Sequence, residues 1–570
     1  MIRCGLALLA AAFVVSDVVS GFSRTQGFSR TQTTSSSTVR FTDITRPSGL
    51  SFHHVNGASP DKHLVETMGS GGMFLDYDND GWLDIFLVDG GSLADARVAS
   101  RARHRLYRNR GNATFEDATA RSGIQHRGYG MGACAGDYDS DGWIDLYVTS
   151  DGPNTLYRNR GNGSFIDVTT TAKVGDSRWS AGCAFSDLDR DGDLDLFVVN
   201  YVDDSRRPPP YCGDAAVGTR FYCHPLNYRS LPNTLYRNDG GGVFTDVSAS
   251  SGIGVLRGNG LGAVVTDYDA DGWPDLFVAN DSVANYLFRN TRGLKFVDAA
   301  LGAGVAVATD GKARAGMGVD AGDYDGDGRD DVVVTNLDFE THSLYRNLGK
   351  GLFEYATRTS GLGFATLPFV GFGVAFMDVD SDTQLDLAIA NGHIMDNAPV
   401  FRSGSTYAQR KLLFRNSGSG KFIEIGRSAG DGFSLEKVGR GLAAGDIDND
   451  GDLDLLVTNN GQTADLLRND SRGGNSLLVR AVASGRDAIG ARVRVTVGGR
   501  TQVREVRAGS SYLSQNDLRL HFGLGDATLV DRIEVTWPSQ HVEVVTKVAA
   551  NQIVTVHEGR GVVSRVPFTQ

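Results

Sequence analysis

What most constrains this chain is a nine-residue pattern that recurs seven times, with aspartate at positions 1, 3, 5 and 9 and, in six of the copies, a glycine at 6. The copies read DYDNDGWLD from Asp76, DYDSDGWID from Asp137, DLDRDGDLD from Asp187 and DYDADGWPD from Asp267, then DYDGDGRDD from Asp323, DVDSDTQLD from Asp378 and DIDNDGDLD from Asp446. Their spacing of roughly fifty to eighty residues marks a repeat architecture. Such an architecture lets 570 residues form one folded body where an ordinary domain could not.

Each copy has the same surroundings. Upstream lies a small-residue segment such as GMGACAG or GLGAVVT, and downstream a strand-like run such as LDIFLVDG, IDLYVTS or LDLLVTN. A block follows that begins LYRNRGNATFEDAT at Leu106 and is echoed by LYRNRGNGSFIDVT, LYRNDGGGVFTDVS, LFRNTRGLKFVDAA, LYRNLGKGLFEYAT and LFRNSGSGKFIEIG. Two short strands around an Asn/Gly turn make this a hairpin. The unit is four strands, so the expected fold is all-β, a seven-bladed β-propeller over residues 39–470. The seventh unit stops at LLRND, residues 466–470, without an outer strand, whereas VRFTDIT, residues 39–45, is such a strand with no unit of its own. If 39–45 completes blade seven, the ring closes and leaves no unpaired edge.

Alternating carboxylates aim several oxygens at one centre, the glycine permits the bend, and the ninth residue closes the shell. The predicted metal ligands are Asp76, Asp78, Asp80 and Asp84; Asp137, Asp139, Asp141 and Asp145; Asp187, Asp189, Asp191 and Asp195; and Asp267, Asp269, Asp271 and Asp275. The remaining three sets are Asp323, Asp325, Asp327 and Asp331; Asp378, Asp380, Asp382 and Asp386; and Asp446, Asp448, Asp450 and Asp454. Hard oxygen donors in this number suit Ca²⁺, up to seven ions. Without a cation, two carboxylates ~5 Å apart repel by about 3 kcal/mol at an effective dielectric of ~20. The competing reading is a solvated turn with capping aspartates, and it weighs most at the sixth loop, where Thr383 replaces the glycine. The loops use 28 of the 68 acidic residues, and seven Ca²⁺ would move the formal charge from −12 to +2. The acidity is then ligand inventory, and the negative balance excludes a general affinity for nucleic acid.

The first twenty residues, MIRCGLALLAAAFVVSDVVS, read as an export signal (1–20), with Cys4 ahead of the apolar run rather than at a lipid-attachment position. Residues 21–38, GFSRTQGFSRTQTTSSST, read as a flexible linker. No later segment approaches the ~18 consecutive apolar residues of a spanning helix. The expected location is therefore secreted or extracytoplasmic, the periplasm or cell surface in a bacterium. Cys212 and Cys223 lie in the proline-marked insertion PPPYCGDAAVGTRFYCHP and are expected to form a local disulfide. Cys134 and Cys183 fall in equivalent segments of neighbouring repeats, at offsets one residue apart, and are expected as buried free thiols. DSRGGNS, residues 470–476, reads as a linker. After it, ARVRVTV, TQVREVR and RIEVTWP predict a small β-domain over 476–558 with a hairpin at VGG, followed by a tail at 559–570. It has no Asp loop, so no calcium is expected in it.

The repeated DxDxDG-like loops and LYRN blocks resemble the FG-GAP/VCBS repeats of integrin α-subunit propellers. Together with AIGARVRVTVGGRTQVREVRAGSSYLSQNDLRLHFGLG and VDRIEVTWPS, between Ala488 and Ser539, the chain from about 39 to 558 resembles the cartilage acidic protein group with its ASPIC/UnbV C-terminal domain. The resemblance implies calcium in the Asp loops and an extracellular protein without an assigned reaction. One departure is Gln540, where glycine is expected after WPS.

Catalysis is a separate question, since a fold does not imply a function. The sequence has no GxSxG elbow, HExxH helix or phosphate-cradling glycine loop. His53, His54, Glu66, Tyr211, His224 and His393 lie outside the regular repeat, but no pair among them is defined by spacing. The favoured function is a secreted calcium-binding propeller that binds a protein or a glycan, not an enzyme. The alternatives are a calcium-dependent polysaccharide-acting enzyme and a structural component of an envelope assembly.

Overall fold

Crowding explains the small residues ahead of every Asp motif. In the computed structural model, which describes residues 39–569 apart from 126, 206–208, 215, 217, 402, 403 and 419, they form the innermost strands of the repeats, and these strands lie side by side. A Cβ on Gly71 would stand 2.3 Å from the Leu513 carbonyl oxygen, and one on Gly132 2.9 Å from the Leu513 Cα. Only glycine lets backbones approach this closely. The expected export signal (1–20) and linker (21–38) lie outside the described residues.

Among the described residues the repeats form seven sheets, each built on four antiparallel strands, and the first of them carries a fifth, parallel strand. The second runs Tyr129–Gly136, Asp145–Asp151, Thr155–Asn159 and Phe165–Asp167, with Gly136 opposite Asp145, Leu146 opposite Tyr157 and Asn159 opposite Phe165. Corresponding sheets span 72–117, 180–246, 260–298, 319–355 and 371–424. The seventh draws on two distant parts of the chain. Gly439–Gly445, Asp454–Asn459 and Asp465–Asn469 come from its own repeat, and Phe41–Asp43 supplies the outer strand, with Phe41 opposite Asn469 and Asp43 opposite Leu467. The inner strands are neighbours in sheet order, and Gly439–Gly445 of the seventh lies beside Gly72–Leu75 of the first. Apolar side chains from facing sheets fill the spaces between them: Phe74, Ile85, Leu456 and Leu466 between the first and seventh, Val264, Phe277, Val332 and Tyr345 between the fourth and fifth.

Beyond Asp470 the chain forms two more sheets. Asn475–Ala483 pairs antiparallel with Leu520–Gly525 and parallel with Gln552–His557. Arg492–Val497 pairs with Arg500–Glu505 and Leu529–Thr536, and the latter pairs with Val542–Ala549. The first of these pairs is the VGG hairpin, turning through Gly498 and Gly499 at φ 56° and 83°. Gln540 takes φ 68°, and its turn still closes, the Trp537 N–H reaching the His541 carbonyl at 2.9 Å. The expected tail is corrected: Gly561–Pro567 is a strand on the edge of Gln552–His557, where its β-branched residues suit a pleated edge.

This part is continuous with the sheets before it. Leu477, Phe522 and Trp537 belong to one buried cluster with Met73, Leu146 and Phe185 of the first three sheets. Its segment 507–517 enters the space between the inner strands. Ser511 exchanges backbone hydrogen bonds of 2.7 and 2.9 Å with Val319 of the fifth sheet, and Ser514–Gln515 adds a parallel strand to Gly72–Met73 of the first. Gln515 Oε1 accepts the Ala135 N–H at 2.8 Å, Asn516 Oδ1 accepts the Ala444 N–H at 2.9 Å, and the Tyr512 hydroxyl donates to the Met68 carbonyl at 2.7 Å.

Candidate cation loops and the opposite face

Each Asp loop is braced by its own carboxylates. In the second copy, Asp137 Oδ1 accepts the Asp141 N–H at 3.1 Å and its Oδ2 the Gly142 N–H at 2.8 Å, while Asp141 accepts the Trp143 N–H at 3.0 Å. Asp145 accepts the Tyr138 N–H at 3.3 Å and, from the third strand, the Asn159 N–H at 2.7 Å. The bond from position 6 to position 1 recurs in every loop, donated by Gly81, Gly142, Gly192, Gly272, Gly328, Thr383 and Gly451. Thr383 thus keeps the sixth loop in the common shape, at a φ of 82° that glycine adopts more readily.

Position 3 behaves differently. Asp78 Oδ1, Asp139 Oδ1, Asp189 Oδ1, Asp325 Oδ1 and Asp448 Oδ1 are buried with no hydrogen-bond donor from the protein. The outer oxygens meet the arginine of the YRN block: Arg108 contacts Asp78 at 2.5 Å and Asp80 at 2.7 Å, Arg289 contacts Asp269 at 2.8 Å, and Arg415 contacts Asp380 at 2.7 Å. The arginine neutralises the rim and leaves the inner oxygens facing the loop centre. In Asp76/Asp78/Asp84, Asp137/Asp139/Asp145, Asp187/Asp189/Asp195, Asp267/Asp269/Asp271 and Asp323/Asp325/Asp331, one oxygen from each residue lies within 4.8 Å of the others.

Burial, reinforced by neighbouring carboxylates, pushes Asp84 and Asp275 up to about 9 and Asp195 to about 8. Asp145, Asp331, Asp386 and Asp454 rise for the same reasons. At position 1, burial raises Asp76, Asp137, Asp187, Asp267 and Asp323 to about 6. Carboxylates this crowded and this dry ionise together only beside positive charge. An all-oxygen donor set with partnerless inner oxygens around one centre fits a calcium-sized divalent cation.

Sequence reasoning passed over the asparagine of the YRN block. Its backbone N–H serves position 9 of its own loop, and its Nδ2 donates to the position-2 carbonyl of the preceding loop. Asn159 reaches Tyr77 at 2.8 Å, Asn238 Tyr138 at 2.9 Å, Asn290 Leu188 at 2.8 Å, and Asn347 Tyr268 at 2.9 Å. Asn416 reaches Tyr324 at 2.7 Å, Asn469 Val379 at 3.0 Å, and Asn109 of the first sheet Ile447 of the seventh at 2.8 Å. The available signal was the unvarying Asn after Arg in all seven blocks.

The C-terminal part lies against the Asp-loop side. Arg486 donates to the Asp137 carbonyl at 2.8 Å, Arg492 to that of Gly328 at 2.9 Å, and Arg519 to that of Asp446 at 2.7 Å. The strand connections on the opposite side include the hairpin of Cys212–Asp214 and Thr219–Phe221, which the Cys212–Cys223 disulfide closes at a Cα separation of 5.3 Å. The reading of Cys134 and Cys183 as free thiols is corrected: they form a disulfide with a Cα separation of 5.8 Å between the inner strands of sheets two and three. The one-residue offset is no obstacle, because both strands carry a register irregularity just before the cysteine.

The six loop residues considered for chemistry do not assemble into one centre. His54 is buried and its Nδ1 accepts the Gly461 N–H at 3.1 Å, while His53 Nδ1 lies 3.1 Å from the His54 carbonyl. Glu66 is buried and accepts the Ser59 hydroxyl at 2.6 Å and the Tyr222 hydroxyl at 3.2 Å. Tyr211 is exposed on the disulfide hairpin. His224 and His393 share a cavity, in which His224 Nε2 lies 3.5 Å from Ser282 Oγ and His393 Nε2 3.6 Å from Asp338. Ser282, His224 and Asp281 do not form a nucleophilic triad. Asp281 accepts from Ser282 rather than orienting the histidine, and His224 Nδ1 accepts the Leu226 N–H, which leaves the proton on Nε2 where a base would need a lone pair.

A family model described as FG-GAP-like repeat matches residues 76–148, 137–198, 226–278, 267–334 and 323–389, and one described as ASPIC and UnbV matches residues 481–563. Cartilage acidic protein 1 of Homo sapiens is 30% identical over 302 residues, 51% of this chain and 43% of that protein. Its Mus musculus counterpart is 30% identical over 305 residues, 51% of this chain and 44% of that protein. The match thus spans less than half the length of these curated relatives. Among solved structures, a lectin from Burkholderia pseudomallei superposes with a TM-score of 0.43 at 10% identity, over 71% of this chain and 98% of its own.

Proposed function

From the FG-GAP-like repeat family, to which this chain belongs, we propose that it is a secreted, calcium-braced, seven-bladed β-propeller that binds an extracellular protein or glycan and catalyses no reaction. The observation that carries the calcium reading is the set of buried position-3 oxygens without a donor, placed among carboxylates whose ionisation burial opposes. The four aspartates of each loop would hold the ion, which supplies the positive charge that lets them ionise together. The closed propeller is supported by the shared seventh sheet, the cyclic order of the inner strands and the Asn109 bond across the junction. Two disulfides support an oxidising, extracytoplasmic location.

The proposed binding face is the one opposite the Asp loops, since the C-terminal part covers the loop side. Tyr211, Phe339 and Phe364 lie on its connections at 50%, 60% and 86% exposure. Exposed aromatics on one face suit a macromolecular partner. Calorimetric melting in Ca²⁺ and in EGTA tests the calcium reading, and an unchanged melting temperature would refute it. A glycan array followed by pull-down from extracellular fluid tests the binding role; Phe364→Ser should weaken capture without altering the calcium-dependent melt.

A further inference from the structure

The space at the mouth of the inner strands, opposite the Asp loops, is a cavity of about 290 Å³. Segment 507–517 fills the same space from the other side, with Tyr512 and Leu513 packed beside Met68 and Met317, so the cavity is closed below. Phe221 and Tyr222 of the disulfide hairpin and Pro225 just after it form part of its wall. The hairpin is held by polar ties at its edge: Tyr222 to Glu66 at 3.2 Å and Arg220 to Asp61 at 3.2 Å, with the Asn397 amide donating to the Arg220 carbonyl at 3.3 Å. The inner surface is mostly apolar, and Met68, Met317 and Met395 give it side chains that adapt to irregular shapes.

Polar groups gather on one wall. Asp281 is buried and accepts the Tyr201 hydroxyl at 2.6 Å and the Ser282 hydroxyl at 2.8 Å. His224 presents its Nε2–H beside Ser282. Ser282 holds φ 65°, a conformation uncommon for a residue with a side chain. The wall therefore offers carboxylate lone pairs and a ring N–H within one short stretch. A hydroxyl group can use both, donating to Asp281 and accepting from His224. The remaining volume is roughly twice the ~150 Å³ that accommodates benzene.

We infer that this cavity binds a small aromatic or alicyclic molecule bearing one hydroxyl, its ring body against the methionine-lined floor and its hydroxyl at the Asp281–Ser282–His224 wall. This site does not involve the calcium loops, and part of its wall is the hairpin whose Tyr211 lies on the proposed binding face.

The test uses the full, oxidised protein in Ca²⁺ and two fluorescent probes, 1-naphthol and 1-methylnaphthalene. The expected result is saturable one-to-one binding of both, with 1-naphthol tighter by about fivefold, the worth of roughly one net hydrogen bond. Ser282→Ala should shrink that preference and leave 1-methylnaphthalene unaffected. Met317→Trp, which fills the floor, should abolish saturable binding of both; if it lowers the melting temperature, Ala315→Leu replaces it at the same cavity wall. Non-saturable binding, equal affinity for the two probes, or binding that survives the filling variants would each overturn the inference. Tighter binding of 1-naphthylamine than of 1-naphthol would overturn the hydroxyl assignment.

Discussion

Asn109→Ala tests whether the ring closes through side chains as well as strands. Asn109 is buried, and its side chain makes three neutral hydrogen bonds: Nδ2 to the Leu83 carbonyl at 2.9 Å and the Ile447 carbonyl at 2.8 Å, and Oδ1 from the Gly111 N–H at 2.9 Å. Its backbone bond to Asp84 survives the substitution. At about 1 kcal/mol net for each bond, the loss is about 3 kcal/mol. Unfolding entropy of about 2.1 cal/mol/K per residue over roughly 530 residues gives ~1.1 kcal/mol/K, so the melting temperature should fall by about 3 °C. The internal control is Asn159→Ala. It removes the same three bonds, to Tyr77 at 2.8 Å, Ile144 at 3.1 Å and Gly161 at 3.0 Å, but joins consecutive repeats. Differential scanning calorimetry in saturating Ca²⁺ should find the two variants equally destabilised. If Asn159→Ala costs about 3 kcal/mol and Asn109→Ala only about 2 kcal/mol, the value left by its Leu83 and Gly111 bonds alone, the bond between sheets one and seven does not form and the closure argument is refuted.

Three further outcomes are expected. Peptide mapping without reductant should recover Cys134 joined to Cys183; at a sequence separation of 49 against 11 for the other pair, replacing both by serine should cost about 4 kcal/mol, against about 3 kcal/mol for Cys212 and Cys223. Burial alone would raise Asp465, but Lys411 at 2.7 Å and Lys437 outweigh it and hold its carboxyl below the ordinary value. Its contribution is therefore present above the unfolded carboxyl value of about 4 and lost as pH falls through the folded one, so Lys411→Met should lose about 3 kcal/mol at neutral pH and show a shrinking deficit below about pH 4 in acid-unfolding curves. Thr383→Gly should stabilise the sixth loop by roughly 1 kcal/mol by relieving its positive φ, and a lower melting temperature in Ca²⁺ would count against that account.

The Asp loops, the strands around them and the YRN hairpins were legible because each is specified by contiguous residues: alternation for strands, Asn/Gly for turns, carboxylate spacing for the loop. The outer strand of the seventh sheet was legible too, as an orphan segment of repeat type at 39–45 beside a unit that lacked one. Thr383 illustrates how far this carries, since the loop keeps its shape although the local signal for glycine is gone. The Asn latch was visible as a repeated letter, but its role depends on a carbonyl in another repeat.

By itself, then, the sequence determined an all-β repeat chain, the position of its acidic loops and three strands of its C-terminal part, all consequences of short-range periodicity and turn geometry. Only the tertiary structure decided that Cys134 meets Cys183, that 561–567 is a strand rather than a tail, that 507–517 occupies the space between inner strands, and that Asn109 spans the first and seventh sheets. Each of these is a meeting of residues far apart in the chain. Which distant groups come within bonding reach is set by how whole sheets pack, and no local pattern records that.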